Sequence, residues 1–206
     1  MVRTVDGKHI RMDELTLEDW VLSPNKTKMI YTPMETWIHR LPSAYTNFIK
    51  FTLENGKMLK ITNKHFIYKT TCDSNLKSIS IEDLPIQPVY AEKVEVDDCL
   101  YVVDKYNKNY KMSQSKVVKK EHVYEKGLYA PMTVTSDIVV NDIVASCYNI
   151  INHREMQFSF FHNVKKLASW SRLLYGETNE DLDIPLATSF LVDLLQYILP
   201  NSIIPS

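Results

Sequence analysis

The sequence predicts a mainly β protein, with an all-β body of short strands and hairpins followed by a mostly helical C-terminal tail. Several β-branched and aromatic runs of a few residues are typical of strands. They span residues 30–32, 48–53, 58–62, 99–103 and 115–118. After Ile143 the pattern changes, and residues 186–199 carry apolar side chains at the three-to-four spacing of a helix face. We therefore expect a boundary near residue 152, with the β body in 1–152 and the helical tail in 153–206.

Two turn signals predict hairpins within the β body. Asn55-Gly56 favours the positive-φ turn that matches strand twist, so residues 48–53 and 58–62 should pair. This pairing places Thr62 at the far end of a hairpin arm. Asp6-Gly7 should close a second hairpin, between residues 1–5 and 9–12.

Composition argues against several classes of ligand. A chain of 206 residues with 45% hydrophobic residues can bury a core as one domain, or as one domain with a small appendage. The formal net charge is -1, from 24 basic and 25 acidic side chains. With no strong field of one sign, we expect no nucleic-acid partner.

The cysteines and histidines do not have the spacing of a metal site. Cys72, Cys99 and Cys147 form no Cys-x-x-Cys pair, and one thiol is left over if any two of them join. The six histidines are scattered along the chain without the spacing of a finger or a metalloprotease helix. We expect no metal and no other cofactor.

The sequence contains neither a signal peptide nor a transmembrane segment. The first residues are half polar, and no run reaches the roughly 18 apolar residues of a membrane span. From this pattern we expect the chain as written to have no route of its own into the secretory pathway.

Thr62 and His65 form the first candidate for chemistry. Three residues apart at a strand end, they can present a hydroxyl and an imidazole to one point if the chain turns there. The hydroxyl can hold a scissile peptide group while the imidazole protonates the departing amide nitrogen, which is a poor leaving group until it is protonated. A pair with this spacing is, however, more often a hydrogen-bonded strand terminus.

Cys147 is the second candidate. It follows an apolar stretch over residues 138–144, and most thiols in such a setting behave as small buried hydrophobes. The residues around it favour a functional interpretation, because they belong to a longer ordered pattern.

That pattern resembles the hedgehog type of the Hint (hedgehog/intein) family over residues 1 to about 152. Within that family, its motifs are most similar to those of the nematode hedgehog-related group, such as the warthog and groundhog proteins. The motifs are Leu15-Thr16-Leu17-Glu18-Asp19-Trp20-Val21-Leu22, Trp37-Ile38-His39-Arg40, Thr62-Asn63-Lys64-His65, Ala91-Glu92-Lys93-Val94-Glu95-Val96-Asp97-Asp98, Gly127-Leu128-Tyr129-Ala130-Pro131-Met132-Thr133, and the apolar strand over residues 138–144 that leads into Ala145-Ser146-Cys147-Tyr148.

The resemblance implies autoprocessing, which splits one difficult reaction into two easier steps. A cysteine at the start of the domain attacks the preceding glycine carbonyl to form a thioester. A sterol or another nucleophile then takes the upstream signalling domain. By the same resemblance Thr62 orients the scissile bond, His65 is the general acid, and Cys147 is an inner cysteine placed for redox pairing with the nucleophile.

This sequence departs from the family pattern at three places. One, the absence of the usual glycine in residues 135–138, implies a slightly different turn with little consequence for chemistry; the other two concern the reaction. The family's cysteine nucleophile would lie several positions before Val2, so we expect the chain as given to be inactive alone. His39 stands where true hedgehogs carry the aspartate that deprotonates the sterol hydroxyl. An imidazole with a pKa of about 6.5 can serve as that base, or His39 is simply a half-exposed strand residue.

Two function classes follow from the resemblance. The first is the self-cleaving, cysteine-type domain of a secreted signalling precursor, whose partners are its own upstream domain and a sterol or other alcohol. The second is a catalytically inactive Hint scaffold that acts as a binding module. The tail resembles the family's acceptor-recognition segment, and its apolar residues would suit a lipid or would dock on the β body.

Overall fold

The computed structural model describes residues 1–73, 79–80, 88–106 and 109–148. Within them the chain forms a curled antiparallel sheet, which confirms the mainly β prediction. Its strands are β1 (Val2–Arg3), β2 (His9–Ile10), β3 (Trp20–Asn25), β4 (Lys28–Leu53), β5 (Met58–Ile61), β6 (Phe66–Ile67), β7 (Lys69–Thr70), β8 (Val89–Tyr90), β9 (Cys99–Tyr106), β10 (Asn109–Thr133), β11 (Asp137–Val140) and β12 (Ile143–Ser146). The predicted helical tail, 153–206, and the boundary near 152 lie outside the described residues.

The helical segments in the described part of the chain are two short 3-10 helices, Met12–Glu14 and Ala91–Lys93. Neither of these is long and apolar enough to cross a bilayer.

The sequence predicts that every strand is short. This is wrong for β4 and β10, which have 26 and 25 residues. They pair with each other from Val117 opposite Leu53 to Thr133 opposite Met34. One interruption of the register lies beside Gly127, whose φ is +96°, and it leaves Pro42 outside the pairing. Proline and glycine, which indicate strand ends in a sequence, here form a bulge that lets one strand bend and continue.

Both predicted hairpins are confirmed. β4 and β5 pair from Thr52 opposite Met58 to Ile49 opposite Ile61, and Gly56 takes a φ of +81° in the turn. The second hairpin is shorter than expected, with β1 and β2 pairing over two residues each, because the 3-10 helix begins at Met12.

Gly56→Ala is expected to lower the free energy of unfolding by about 1 kcal/mol, because a Cβ is strained at positive φ. A Cβ at this position would meet nothing within 4 Å, so the loss comes from the backbone alone. Urea denaturation measures it. Gly56→Asn should lose less, since asparagine tolerates this conformation better. Equal losses for the two variants would contradict the backbone explanation.

Two hydrophobic clusters lie on either side of β6. Phe66 packs in the first, where its ring stacks on Tyr90 at 4.6 Å between ring centroids. Ile67 packs in the second, whose other members include Phe51, Leu100 and Ile143. Because neighbouring side chains in a strand point to opposite faces, β6 is fixed from both sides, and so is the turn that precedes it.

Candidate functional site

The turn between β5 and β6 carries Thr62 and His65. The backbone N–H of His65 donates to the carbonyl of Thr62 over 3.1 Å, which closes the turn. The next residue, Phe66, donates its N–H to the carbonyl of Tyr148 over 3.1 Å. This bond joins the turn to the segment that contains Cys147, so two motifs far apart in the sequence lie side by side.

The imidazole of His65 is oriented by one hydrogen bond. Its Nε2 lies 2.7 Å from the carbonyl oxygen of Ser146. Since a carbonyl can only accept, Nε2 carries the proton, and Nδ1 has a lone pair when the ring is neutral. Burial lowers the pKa of His65 and the charge of His39 lowers it further, while the bond to Ser146 acts in the opposite direction. A neutral ring near pH 7 can take up a proton at Nδ1 and pass it on.

All four residues predicted for the site line one cavity of about 150 Å³: His39, Thr62, His65 and Cys147. They come from β4, from the turn before β6 and from the residue after β12. Most of the remaining wall is apolar, and it includes Met12, Leu59, Ile61, Ile138, Val140 and Ala145. An apolar wall strengthens electrostatic interactions between the few polar groups that face each other.

His39 lies on β4 opposite Ala130 of β10 and is half-buried. Its charge lowers the pKa of His65, so the two rings lie near each other. His39 and His65 thus line the same cavity, and the role of His39 as a base stays a prediction.

Cys147 is buried, with 1% of its surface exposed, and in the described residues it is a free thiol. Its Sγ lies 3.7 Å from the hydroxyl oxygen of Thr133, and its N–H donates to the carbonyl of Ser136 over 2.8 Å. Burial raises the pKa of the thiol to about 12. Cys147 is therefore a buried, protonated thiol in the wall of the cavity.

The folded chain should react with iodoacetamide at Cys147 at least about a hundredfold more slowly at pH 8 than the urea-unfolded chain, because only the thiolate attacks. Mass spectrometry of the alkylated peptide measures the two rates. Equal alkylation rates would show that the thiol is accessible.

The folded thiol also keeps its proton to higher pH than the unfolded thiol. The contribution of Cys147 to the free energy of unfolding therefore falls as the pH rises above about 8.5.

Strand β1 begins beside this cavity. The carbonyl of Met1 accepts a hydrogen bond from the N–H of Asn141 over 2.8 Å. The guanidinium of Arg3 pairs with the carboxylate of Asp142 at 2.9 Å. Val2 lies opposite Val140, which lines the cavity. The start of β1 is thus fixed to the turn between β11 and β12.

Three features of the structure, two at the site and one outside the cavity, were not predicted from the sequence. Ser146 contributes through its carbonyl and Thr133 through its hydroxyl. Both residues lie within family motifs, but a backbone acceptor or a neighbouring hydroxyl has no distinct sequence pattern. The third feature is a disulfide between Cys72 and Cys99, with Cα atoms 5.1 Å apart. Counting three cysteines allowed a pair but did not identify it.

Within the described ranges, no group of three or more His, Cys, Asp or Glu side chains is arranged to hold a metal ion.

Comparisons with known proteins show the family to which the chain belongs. The model of the Hint module family matches residues 1–200. Warthog protein 8 of Caenorhabditis elegans is 33% identical over 196 residues, which cover 94% of this chain and 35% of that protein. Indian hedgehog B protein of Danio rerio is 25% identical over 177 residues, which cover 83% of this chain and 41% of that protein.

The fold matches solved inteins as well. The DnaX mini intein of Spirulina platensis has a TM-score of 0.54 and 15% identity, over 70% of this chain and 93% of the intein. The chain belongs to the Hint family, and the predicted resemblance to its nematode hedgehog-related members is confirmed. The chain spans about a third of the length of the warthog relatives that it matches.

Proposed function

We propose that this chain is the autoprocessing domain of a secreted, hedgehog-related signalling precursor. It cleaves the precursor in two steps and transfers the upstream domain to a sterol, another alcohol or water. The observation that carries the proposal is the convergence of His39, Thr62, His65 and Cys147 on one cavity beside the start of β1.

In the first step, the sulfur of a cysteine upstream of Met1 attacks the carbonyl carbon of the preceding glycine. A C–S bond forms, the C–N bond breaks, and the nitrogen leaves as an amine after receiving a proton. Nδ1 of His65 accepts the thiol proton and delivers it to that nitrogen, while Nε2 stays bonded to Ser146. Thr62, at the other end of the same turn, orients the scissile peptide group through its hydroxyl.

In the second step, the oxygen of the acceptor attacks the thioester carbon, and the cysteine leaves as a thiol. His39 removes the proton from the acceptor hydroxyl, in place of the aspartate of true hedgehogs. Cys147 is buried in the wall of the same cavity. A disulfide donor in the compartment, reduced to a dithiol in the exchange, would pair it with the nucleophile cysteine. The tail, 153–206, is proposed to bind the acceptor.

The disulfide supports a secreted precursor. Disulfides persist in oxidising compartments and are rare in the cytosol, and Cys72 and Cys99 are joined here. We propose that the whole precursor enters the secretory pathway through a segment outside this chain and acts in cell-cell signalling.

The experiment that tests the proposal is cleavage of a fusion in which a reporter domain ending in Gly-Cys-Phe and a short native-like linker precede Met1. Hydroxylamine should release the reporter as a hydroxamate. Gel electrophoresis and mass spectrometry show the disappearance of the uncleaved fusion and the mass of the product. Changing the junction cysteine to alanine should abolish release. A folded fusion that is not cleaved would instead favour the second function class, an inactive scaffold that acts as a binding module.

His39→Ala in this fusion is expected to leave thioester formation unchanged and to slow transfer to an added alcohol by about 10²-fold or more, as expected when a general base is lost. Hydroxylamine release reports the first step, and alcohol-dependent release reports the second. His39→Asp is the matched variant and should retain transfer. If both steps slow equally in His39→Ala, His39 has a structural role only.

A further inference from the structure

The Ala91–Lys93 helix contacts the back of the turn that carries His65. The N–H of Ala91 donates to the carbonyl of His65 over 2.8 Å, and the N–H of Glu92 donates to the carbonyl of Asn63 over 3.0 Å. Both acceptors lie on the backbone of the turn. The position of the backbone from which the imidazole extends therefore depends on where this helix is held.

Two lysines hold the helix in place. Nζ of Lys69 donates to the carbonyl of Lys93 over 3.0 Å and pairs with Asp98 at 2.8 Å. Nζ of Lys120 donates to the carbonyl of Glu92 over 2.9 Å. These contacts tie the helix to β7 and β10.

The disulfide closes the same region. Cys99 begins β9 directly opposite Thr70, and Cys72 lies two residues beyond Thr70. The bond joins positions 27 residues apart, on either side of the helix. It restricts the segment that carries the helix more than the chain connection alone would, because it removes the freedom of a long loop.

The two sulfurs differ in their access to solvent. Cys72 is exposed, whereas Cys99 is 2% exposed. A reductant in solution can therefore attack at Cys72 without unfolding the sheet.

We propose that the Cys72–Cys99 disulfide is a positioning crosslink for His65, so that the proposed autoprocessing activity depends on the redox state of this pair. The effect on activity rests on the proposed function; the effect on the turn does not. A cellular dithiol that donates two electrons and two protons converts the bond to two thiols and becomes a disulfide itself. The helix then loosens, and His65 loses its fixed direction. Full activity is thus confined to an oxidising compartment.

The chain as it stands tests the structural part. We compare amide exchange of the oxidised chain with that of the chain reduced by tris(2-carboxyethyl)phosphine. Protection of the Ala91 and Glu92 amides should fall by about tenfold or more, while the amides of Ile49 and Ile61 in the β4–β5 hairpin stay within about twofold. The ring resonances of His65 should shift on reduction, whereas those of the exposed His122 should not.

Three results would overturn the proposal. The first is unchanged protection at Ala91 and Glu92 on reduction. The second is an equal loss of protection in the β4–β5 hairpin, which would make the disulfide a support of the whole sheet. The third is alkylation of three thiols in the unfolded, unreduced chain, which would show that Cys72 and Cys99 are not joined. A Cys72→Ser/Cys99→Ala variant is the control, because it should resemble the reduced chain and should not respond to the phosphine.

The reporter fusion separates this proposal from the proposed function. With hydroxylamine as the nucleophile in both states, release should be about tenfold slower after reduction by the phosphine, and the Cys72→Ser/Cys99→Ala fusion should show the slow rate in both states. Release at one rate in both states of the unsubstituted fusion would reject the positioning crosslink and leave autoprocessing intact. No release in either state would reject autoprocessing, and the exchange experiment would still decide the structural claim.

Discussion

His65→Ala is expected to slow thioester formation by about 10²-fold to 10⁴-fold in the reporter fusion, the range typical of a lost general acid or base. The reason is geometric: Nε2 is occupied by the carbonyl of Ser146 at 2.7 Å, so Nδ1 is the nitrogen that can exchange protons with the reacting groups. Without it, the amide nitrogen leaves unprotonated. Single-turnover release by hydroxylamine at saturating concentration measures the rate.

Two variants make this result specific. His65→Gln can still donate a hydrogen bond toward Ser146 but cannot carry a proton, so it should be as slow as alanine. His122→Ala removes an exposed histidine of β10 and should cleave at the normal rate. Fast cleavage by His65→Gln would mean that His65 only supports the turn.

The low pKa of His65 adds a pH dependence with a definite sign. Burial disfavours the charged ring, so the folded chain binds this proton less well than the unfolded chain. The contribution of His65 to the free energy of unfolding is therefore present above about pH 6.5 and is lost as the pH falls through the lower, folded-state pKa. The His65→Gln variant should lack this part of the acid dependence.

Phe51→Ala is expected to lower the free energy of unfolding by about 3–5 kcal/mol, the range for removing a large buried ring. Phe51 is fully buried on β4, opposite Leu59, in the cluster that also contains Ile67 of β6. The cavity left behind would lie under the hairpin that ends at Thr62. Urea denaturation followed by circular dichroism measures the loss, provided that the m-value stays constant.

Val118→Ala is the control for this prediction. Val118 lies on β10 with 49% of its surface exposed, and its truncation should change the free energy of unfolding by less than about 0.5 kcal/mol. A loss below about 1.5 kcal/mol for Phe51→Ala would mean that the cluster closes around the missing ring.

Local sequence signals predicted the local parts of the fold. Asn55-Gly56 identified a hairpin because its conformational preference acts within four residues. The same reasoning failed for β4, where Pro42 lies within a strand that continues on both sides. The partner strand β10, with Gly127 at the matching bulge, is distant in sequence, and single-residue preferences contain no information about it.

The site divides in a similar way. Thr62, His65, His39 and Cys147 were identified through ordered motifs, and the structure gathers them in one cavity. Their hydrogen-bond partners were not predictable, because the carbonyl of Ser146 is a group that every residue possesses. The Cys72–Cys99 pair also depends on a β7–β9 pairing that only the fold defines.

The attachment of β1 to the β11–β12 turn has a consequence for reaction rates. Met1 and Arg3 are fixed at Asn141 and Asp142, so any peptide that precedes Met1 extends from a stationary anchor. Each added residue extends its reach by at most about 3.5 Å. A junction only a few residues away would therefore be held at a high effective concentration near the cavity, and we expect the proposed cleavage to be a unimolecular event that dilution does not slow.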